Sequence, residues 1–173
     1  MFKKMDSVSF PIPDAILFTG SSSFTIWKDV QKYFPTFSIL NRGFGGSSLS
    51  DVSRYAGEII FPYQPKQIVI YCGENDLAAD STVTGKIVYQ RFSALFKEIR
   101  NQLPAVHIAF VSLKPSPSRW HLKDKMTEAN TNIGKILTDH NISYIPEAHC
   151  YLKIDGKTVD VTSKEADFNK IKT

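Results

Sequence analysis

The sequence predicts a three-layer α/β/α domain with a mostly parallel, flavodoxin-like sheet. Short apolar runs alternate with segments of helical periodicity, which is typical of parallel strands joined by crossing helices. Three of these runs are continuous rather than alternating, as expected for strands that are covered on both faces. The chain has 173 residues, of which 42% are hydrophobic. Residues 1–173 are therefore expected to form one domain with a substantial core.

The predicted strands follow the apolar runs in chain order. These runs are residues 15–20, 37–46, 67–76, 106–115 and 142–148. The continuous, β-branched ones are "AILFTG", "QIVIYCG" and "VHIAFVS". We expect residues 15–20, 68–72 and 106–112 to be neighbouring parallel strands of one sheet.

The predicted helices lie between these runs. Residues 23–34 and 85–103 repeat apolar side chains at helical spacing, and Pro104 follows the longer segment as a stop. Residues 126–140 form a third predicted helix, and residues 48–60 a shorter one. The sequence contains no internal repeat and no linker, which favours a single domain.

Composition and charge argue against several classes of protein. The net charge is +4, but the lysines are scattered and form no basic stripe, so no nucleic-acid partner is expected. Cys72 and Cys150 form no disulfide framework or Cys/His cluster, so no metal and no cofactor are expected. No run approaches the ~20 apolar residues of a membrane span. The chain is expected to be soluble, and cytoplasmic unless a signal peptide was removed.

Parallel sheets bind ligands at the carboxyl ends of their strands. The predicted loops at those ends carry glycine, hydroxyl, amide and carboxylate groups. They read "GSSS", "NRGFGGSS", "GENDLAADS", "KPSPSRWHL" and "EAHCYLK". A serine between a strand and a helix exposes its hydroxyl beside backbone N–H groups, as a nucleophile needs, although serine is also a preferred helix cap. Likewise, Asn75 could donate to an oxyanion or only hold its own turn.

Four segments together resemble, in order and spacing, the first blocks of the SGNH/GDSL hydrolases. They are "FTGSSSFTIW", "NRGFGGSSLSDV", "YCGENDLA" and "SLKPSPSRW", and the resemblance covers roughly residues 14 to 150. It is strongest to the acylhydrolase branch with a Gly-Ser-Ser-Ser first block. The resemblance implies a serine ester hydrolase acting on a small-molecule substrate, either an acyl ester or an acetylated sugar. It makes Ser22 the nucleophile, with the N–H groups of Ser22 and Gly46 and the Asn75 amide as oxyanion donors.

The catalytic base is the point at which the sequence departs from this family. The family's late Asp-x-x-His block is missing, and so is the closing helix after it. Asp167 falls near the aspartate of that block, and Lys170 stands where the histidine is expected. His149, just after the fifth predicted strand, is a candidate substitute base. An inactive relative, a chain altered at its end and a rearranged triad all remain open.

Two further functions remain open on the sequence. One is a catalytically impaired SGNH relative that binds an acyl or carbohydrate ligand. The other is a flavodoxin-like binder of phosphate or nucleotide at "GSSS". A binder of this kind is expected to have more glycine or a nearby lysine in that loop, and neither is present. In the fourth block, Arg119 could meet an acidic substrate group or pair with a carboxylate of a neighbouring loop.

Overall fold

A computed structural model describes residues 2–139, 143–145, 151–154 and 157–160. Its main sheet has five parallel strands in the order β2-β1-β3-β4-β5. The strands are β1 (Ile16–Gly20), β2 (Ile39–Gly43), β3 (Gln67–Tyr71), β4 (His107–Val111) and β5 (Ser143–Ile145). The expectation that the first, third and fourth runs are neighbouring parallel strands is therefore confirmed.

Seven α-helices are described along the chain. They are α1 (Phe2–Asp6), α2 (Ser22–Ile26), α3 (Val30–Tyr33), α4 (Leu49–Ile59), α5 (Glu74–Ala79), α6 (Gly85–Gln102) and α7 (Lys123–Asp139). Two 3-10 helices, Phe61–Tyr63 and Pro117–Leu122, precede β3 and α7 respectively. In the described part of the chain, no helix combines the length and apolar character needed to cross a membrane.

Helices cover the sheet on both faces, which confirms the predicted three layers. Leu17, Ile68 and Phe110 point to one face, where they pack with side chains of α4, α6 and α7. Phe18 and Val69, the next residues along their strands, point to the other face and pack with side chains of α2 and α3. Because successive side chains of a strand alternate between faces, a continuous apolar run supplies both cores at once.

The helix predicted over residues 23–34 is wrong, because the structure divides it into α2 and α3. Asn41 in β2 accounts for the break. Its Nδ2 donates to the carbonyl oxygens of Phe24, at 2.7 Å, and Trp27, at 3.2 Å. These bonds satisfy carbonyl groups that a continuing helix would otherwise have to pair, so α2 ends there.

A second, two-stranded antiparallel sheet follows the main sheet in the chain. It pairs β6 (Tyr151–Ile154) with β7 (Lys157–Asp160). Our sequence analysis did not predict it, although an Asp-Gly pair lies between the two strands, which is typical of a hairpin. From the sequence, the closing helix of the SGNH family is expected to be missing, and this expectation falls on residues outside those described.

Helix α1 was not predicted either, and a buried polar cluster holds it in place. The guanidinium of Arg42 in β2, only 4% exposed, pairs with the Asp6 carboxylate at 2.5 Å. Tyr63 donates its hydroxyl to the same carboxylate at 2.6 Å. Burial, together with the hydrogen bond to Asp6, raises the pKa of Tyr63. The pairing depends on residues 36 positions apart, which explains why a local pattern did not reveal it.

Candidate active site

The loops that follow β1, β2 and β3 are hydrogen-bonded to one another at the carboxyl end of the sheet. Gly20 has φ +128°, and a Cβ there would lie 2.1 Å from the carbonyl oxygen of Tyr71, so only glycine fits. The N–H of Ser21 donates to that same oxygen at 3.0 Å, and the N–H of Phe44 donates to the Gly20 oxygen at 2.9 Å. Three loops far apart in sequence are thus held side by side.

Ser21 lies at the centre of this arrangement. Its hydroxyl oxygen accepts the Ser22 N–H at 2.7 Å and an Asn75 Nδ2–H at 3.3 Å. The residue is 6% exposed, whereas Ser22 is exposed at the start of α2. Two N–H groups that the resemblance assigns to an oxyanion hole therefore converge on one oxygen atom, which the protein itself supplies.

Gly46 lies in the loop between β2 and α4, exposed at the same end of the sheet. Its φ is +79°, a left-handed conformation that favours glycine, and a Cβ built there would meet nothing within 4 Å. The glycine is therefore required by backbone conformation rather than by close packing. Open space beside its backbone leaves room for another molecule to approach.

Two carboxylates fix the end of this loop. Asp51 and Ser48 form a reciprocal capping box at the start of α4, and the hydrogen bonds from Ser48 lower the pKa of Asp51. Asp76, in α5, accepts the N–H of Leu49 at 2.9 Å and the Arg91 guanidinium at 2.7 Å. Asp76 thus links the loop that carries Gly46 to the segment that carries Asn75.

Asn75 in α5 uses both ends of its side-chain amide. Nδ2 donates to the Ser47 carbonyl oxygen at 3.0 Å as well as to Ser21. Oδ1 accepts from Nη2 of Arg119 at 2.9 Å. Arg119 also donates to Glu74 at 3.3 Å, and Glu74 accepts a short hydrogen bond from the Tyr71 hydroxyl. Arg119 therefore pairs with the carboxylate of Glu74 at the start of α5, which corresponds to the second of the two roles left open for it.

Cys72 lies beneath the same loops but is not a nucleophile. Its thiol is buried and donates to the Ser47 carbonyl oxygen at 3.4 Å. Burial raises the pKa of this thiol well above its ordinary value, so it stays protonated at neutral pH. Within the residues that the structure describes, no group of three or more His, Cys, Asp and Glu side chains is placed to hold a metal ion.

The predicted site residues Ser22, Gly46 and Asn75 all lie at the carboxyl end of the sheet. However, the Asn75 amide contacts the hydroxyl of Ser21, and in the described part of the chain no hydrogen bond joins it to the Ser22 hydroxyl. Sequence reasoning passed over Ser21 as a member of the site. Its position directly between the strand-ending glycine and the helix was the available signal.

His149, the candidate base, and Asp167, which falls near the aspartate of the family's late block, both lie outside the described residues. Of the histidines that are described, His107 begins β4, at the opposite end of the sheet from Ser22. His121 is exposed in the 3-10 helix that also carries Arg119. Across the described segments, neither histidine is hydrogen-bonded to Ser21 or Ser22.

Several solved structures that superpose on this chain are named as lipases, acylhydrolases or esterases. A GDSL-like lipase from Bacteroides thetaiotaomicron superposes with a TM-score of 0.70 at 17% identity, over 83% of this chain and 75% of the other. A lipase/acylhydrolase from Enterococcus faecalis superposes with a TM-score of 0.61 at 15% identity, over 76% of this chain and 75% of the other. A mutant of a Geobacillus acetyl-xylooligosaccharide esterase superposes with a TM-score of 0.59 at 14% identity, over 78% of this chain and 76% of the other.

These similarities establish the fold class as the three-layer α/β/α architecture of the GDSL-like lipases and acylhydrolases. The fold predicted by the resemblance to SGNH hydrolases is thereby confirmed. No protein-family model matches the sequence, and no curated protein matches it.

Proposed function

We propose that this chain is an ester hydrolase that uses Ser22 as nucleophile and acts on a small acyl ester or an acetylated sugar. One observation carries the proposal. The N–H of Ser22 and the amide of Asn75 converge on a single oxygen atom, that of the Ser21 hydroxyl, although Asn75 lies 54 positions from Ser21. An ester carbonyl oxygen that becomes negatively charged during attack needs such a pair of donors.

The Ser21 hydroxyl oxygen occupies the position that the proposed reaction assigns to the carbonyl oxygen of the ester. Donors that stabilise an oxyanion lie ~2.7–3.1 Å from it, close to the distances of the two N–H groups from the Ser21 oxygen. In the proposed reaction the Ser21 hydroxyl rotates away, and the substrate carbonyl oxygen takes its place. The N–H of Gly46 is the third proposed donor, and the open space beside Gly46 supports this role.

The proposal needs a base to take the proton of the Ser22 hydroxyl. His149 follows β5 by four positions, and the chain leaves β5 at the carboxyl end of the sheet. Asp167 is the second candidate member of the proposed triad, as the partner of the base. Losing one triad member typically leaves ~10³–10⁴-fold catalysis over water, so the identity of the base decides how fast this protein works.

The test is hydrolysis of para-nitrophenyl acetate by the full chain and by single variants. Ser22→Ala is expected to lower the enzymatic rate by several orders of magnitude, whereas Ser23→Ala, a change at the neighbouring exposed serine, leaves it unchanged. His149→Ala lowers the rate to the same floor as Ser22→Ala if His149 is the base. A Ser22→Ala protein that retains the wild-type rate would overturn the assignment of the nucleophile.

One observation favours a second candidate, a catalytically impaired relative that binds an acyl or carbohydrate ligand. The Ser22 N–H already donates to Ser21, so one proposed oxyanion donor is occupied within the protein. Under this alternative, wild type hydrolyses para-nitrophenyl acetate no faster than Ser22→Ala. Acetylated xylo-oligosaccharide would still shift the backbone amide NMR resonance of Gly46. Enzymatic turnover lost in Ser22→Ala excludes the alternative.

A further inference from the structure

The side chain of Arg119 contacts the group that the proposed hydrolysis assigns to the oxyanion. Its Nη2 donates to Oδ1 of Asn75 at 2.9 Å, while Nδ2 of the same amide faces Ser21. Arg119 comes from the 3-10 helix after β4, and Asn75 from the helix after β3. The two residues are 44 positions apart, so the contact belongs to the fold rather than to a local turn.

This contact selects one of two orientations of the Asn75 amide. An arginine guanidinium has only donors, and an asparagine amide has an acceptor at one end and donors at the other. Rotating the amide by half a turn would place its NH₂ against the guanidinium, donor against donor. It would also place Oδ1 against the Ser47 carbonyl oxygen, which now accepts Nδ2 at 3.0 Å. Arg119 and Ser47 therefore both hold the NH₂ group toward Ser21.

The guanidinium is itself held in place. Its Nη1 donates to Oε2 of Glu74 at 3.3 Å, and the other carboxylate oxygen of Glu74 accepts from the Tyr71 hydroxyl. The side chains of Arg119 and Glu74 are 31% and 14% exposed, so both are partly withdrawn from water. A chain of hydrogen bonds thus runs from Tyr71 in the sheet through Glu74 and Arg119 to Asn75.

We propose that Arg119 is a positioning residue that orients the Asn75 amide and strengthens it as a donor to the oxyanion. This proposal rests on the ester hydrolase function proposed above. A cation bonded to Oδ1 draws electron density through the amide and makes its N–H groups stronger donors. The effect matters most when negative charge develops on the substrate oxygen, so it acts on the transition state more than on substrate binding.

Kinetics with para-nitrophenyl acetate test the proposal through Arg119→Gln, with Arg54→Gln, at an exposed arginine of α4, as the matched control. A charge-assisted hydrogen bond is replaced by a neutral one, so kcat is expected to fall about tenfold while KM changes little. Arg54→Gln keeps the wild-type kcat. In an Asn75→Ala background, Arg119→Gln should have no further effect, because Arg119 acts only through Asn75.

A second measurement does not depend on hydrolysis. In a proton–nitrogen NMR correlation spectrum, the side-chain NH₂ resonances of Asn75 are expected to move upfield in Arg119→Gln and to stay in place in Arg54→Gln. Arg119→Lys, which keeps a cation at this position, should recover part of both the NMR shift and kcat. Thermal unfolding of each variant separates these effects from a loss of folded protein.

The outcomes distinguish this proposal from the function on which it rests. If the Asn75 resonances move but wild type shows no enzymatic turnover, the positioning role stands and the hydrolase function fails. If Asn75→Ala lowers kcat while Arg119→Gln changes neither kcat nor the Asn75 resonances, the hydrolase function stands and the positioning role is overturned. Equal losses from Arg119→Gln in the wild-type and Asn75→Ala backgrounds also overturn it, because Arg119 would then act independently of Asn75.

Discussion

Removing the Asp76 carboxylate should loosen the link between the two loops that carry Gly46 and Asn75. The side chain of Asp76 is 0% exposed, and it accepts both the N–H of Leu49 and the guanidinium of Arg91. Asp76→Ala removes both interactions, whereas Asp76→Asn keeps one side-chain oxygen for the Leu49 N–H. The two variants therefore separate the hydrogen bond from the ion pair.

The expected loss of stability follows from the burial of each partner. Leu49 is fully buried, so its N–H would lose its acceptor without gaining water, at a cost of about 1–3 kcal/mol. The Arg91 side chain is 34% exposed and can turn to solvent, so the lost ion pair adds only about 0.2–1 kcal/mol. We expect Asp76→Ala to lose about 1–4 kcal/mol of unfolding free energy, and Asp76→Asn clearly less.

Urea unfolding followed by far-ultraviolet circular dichroism measures these free energies at neutral pH. Glu128→Gln, at an exposed carboxylate of α7, is the control and should stay within about 0.5 kcal/mol of wild type. A loss of less than about 0.5 kcal/mol in Asp76→Ala would contradict this prediction. An equal loss in the asparagine and alanine variants would also contradict it, since the Leu49 hydrogen bond would then contribute nothing.

Three further predictions follow from the site. Gly20→Ala, with its Cβ directed at the Tyr71 carbonyl oxygen and φ at +128°, should lose about 2–4 kcal/mol by urea unfolding; a loss below 0.5 kcal/mol would contradict the required glycine. Ser21→Ala should retain or raise kcat/KM for para-nitrophenyl acetate, and a loss as large as that of Ser22→Ala would make Ser21 the nucleophile. Because Ser48 lowers the pKa of Asp51, the stability this carboxylate adds is present above about pH 4 and lost as the pH falls through its folded pKa. Asp51→Asn should therefore flatten the acid limb of stability measured by urea unfolding, and an unchanged limb would refute this.

The sequence predicted the main sheet well, because its strands are covered on both faces and so appear as continuous apolar runs. The run at residues 15–20 supplies Leu17 to one core and Phe18 to the other, which a surface strand would not do. The helix over residues 85–103 was equally clear, since one apolar stripe and a following proline mark its length and end.

Features that depend on distant side chains were not predictable in the same way. Asn41 ends α2 through bonds to carbonyls at least 14 positions away, and α1 docks through Arg42 and Asp6. The residues of the short helix α5 are predicted as a loop, because "GENDLA" carries residue types that favour turns. Gly73, directly before this helix, does adopt a turn conformation, with φ at +133°.

In the candidate site, the location of the residues was predictable from the sequence, whereas their hydrogen bonds were not. Order and spacing of the blocks placed Ser22, Gly46 and Asn75 at one end of the sheet, because parallel strands bring their carboxyl ends together. Neither pattern nor resemblance indicated that the Ser21 oxygen would accept both the Ser22 N–H and the Asn75 amide. That arrangement depends on rotamers and on the φ of Gly20, which residue types alone do not specify.

The kcat of Asn75→Ala with para-nitrophenyl acetate tests most directly whether this end of the sheet is an ester-hydrolysing site. Asn101→Ala, at an exposed asparagine near the end of α6, is the matched control. Removing one oxyanion donor is expected to lower kcat roughly 10²- to 10³-fold in protein that circular dichroism shows to be folded, and the control should match wild type. A folded Asn75→Ala protein with the wild-type kcat would contradict the account, because the amide that meets the Ser22 N–H at one oxygen would then have no part in the reaction.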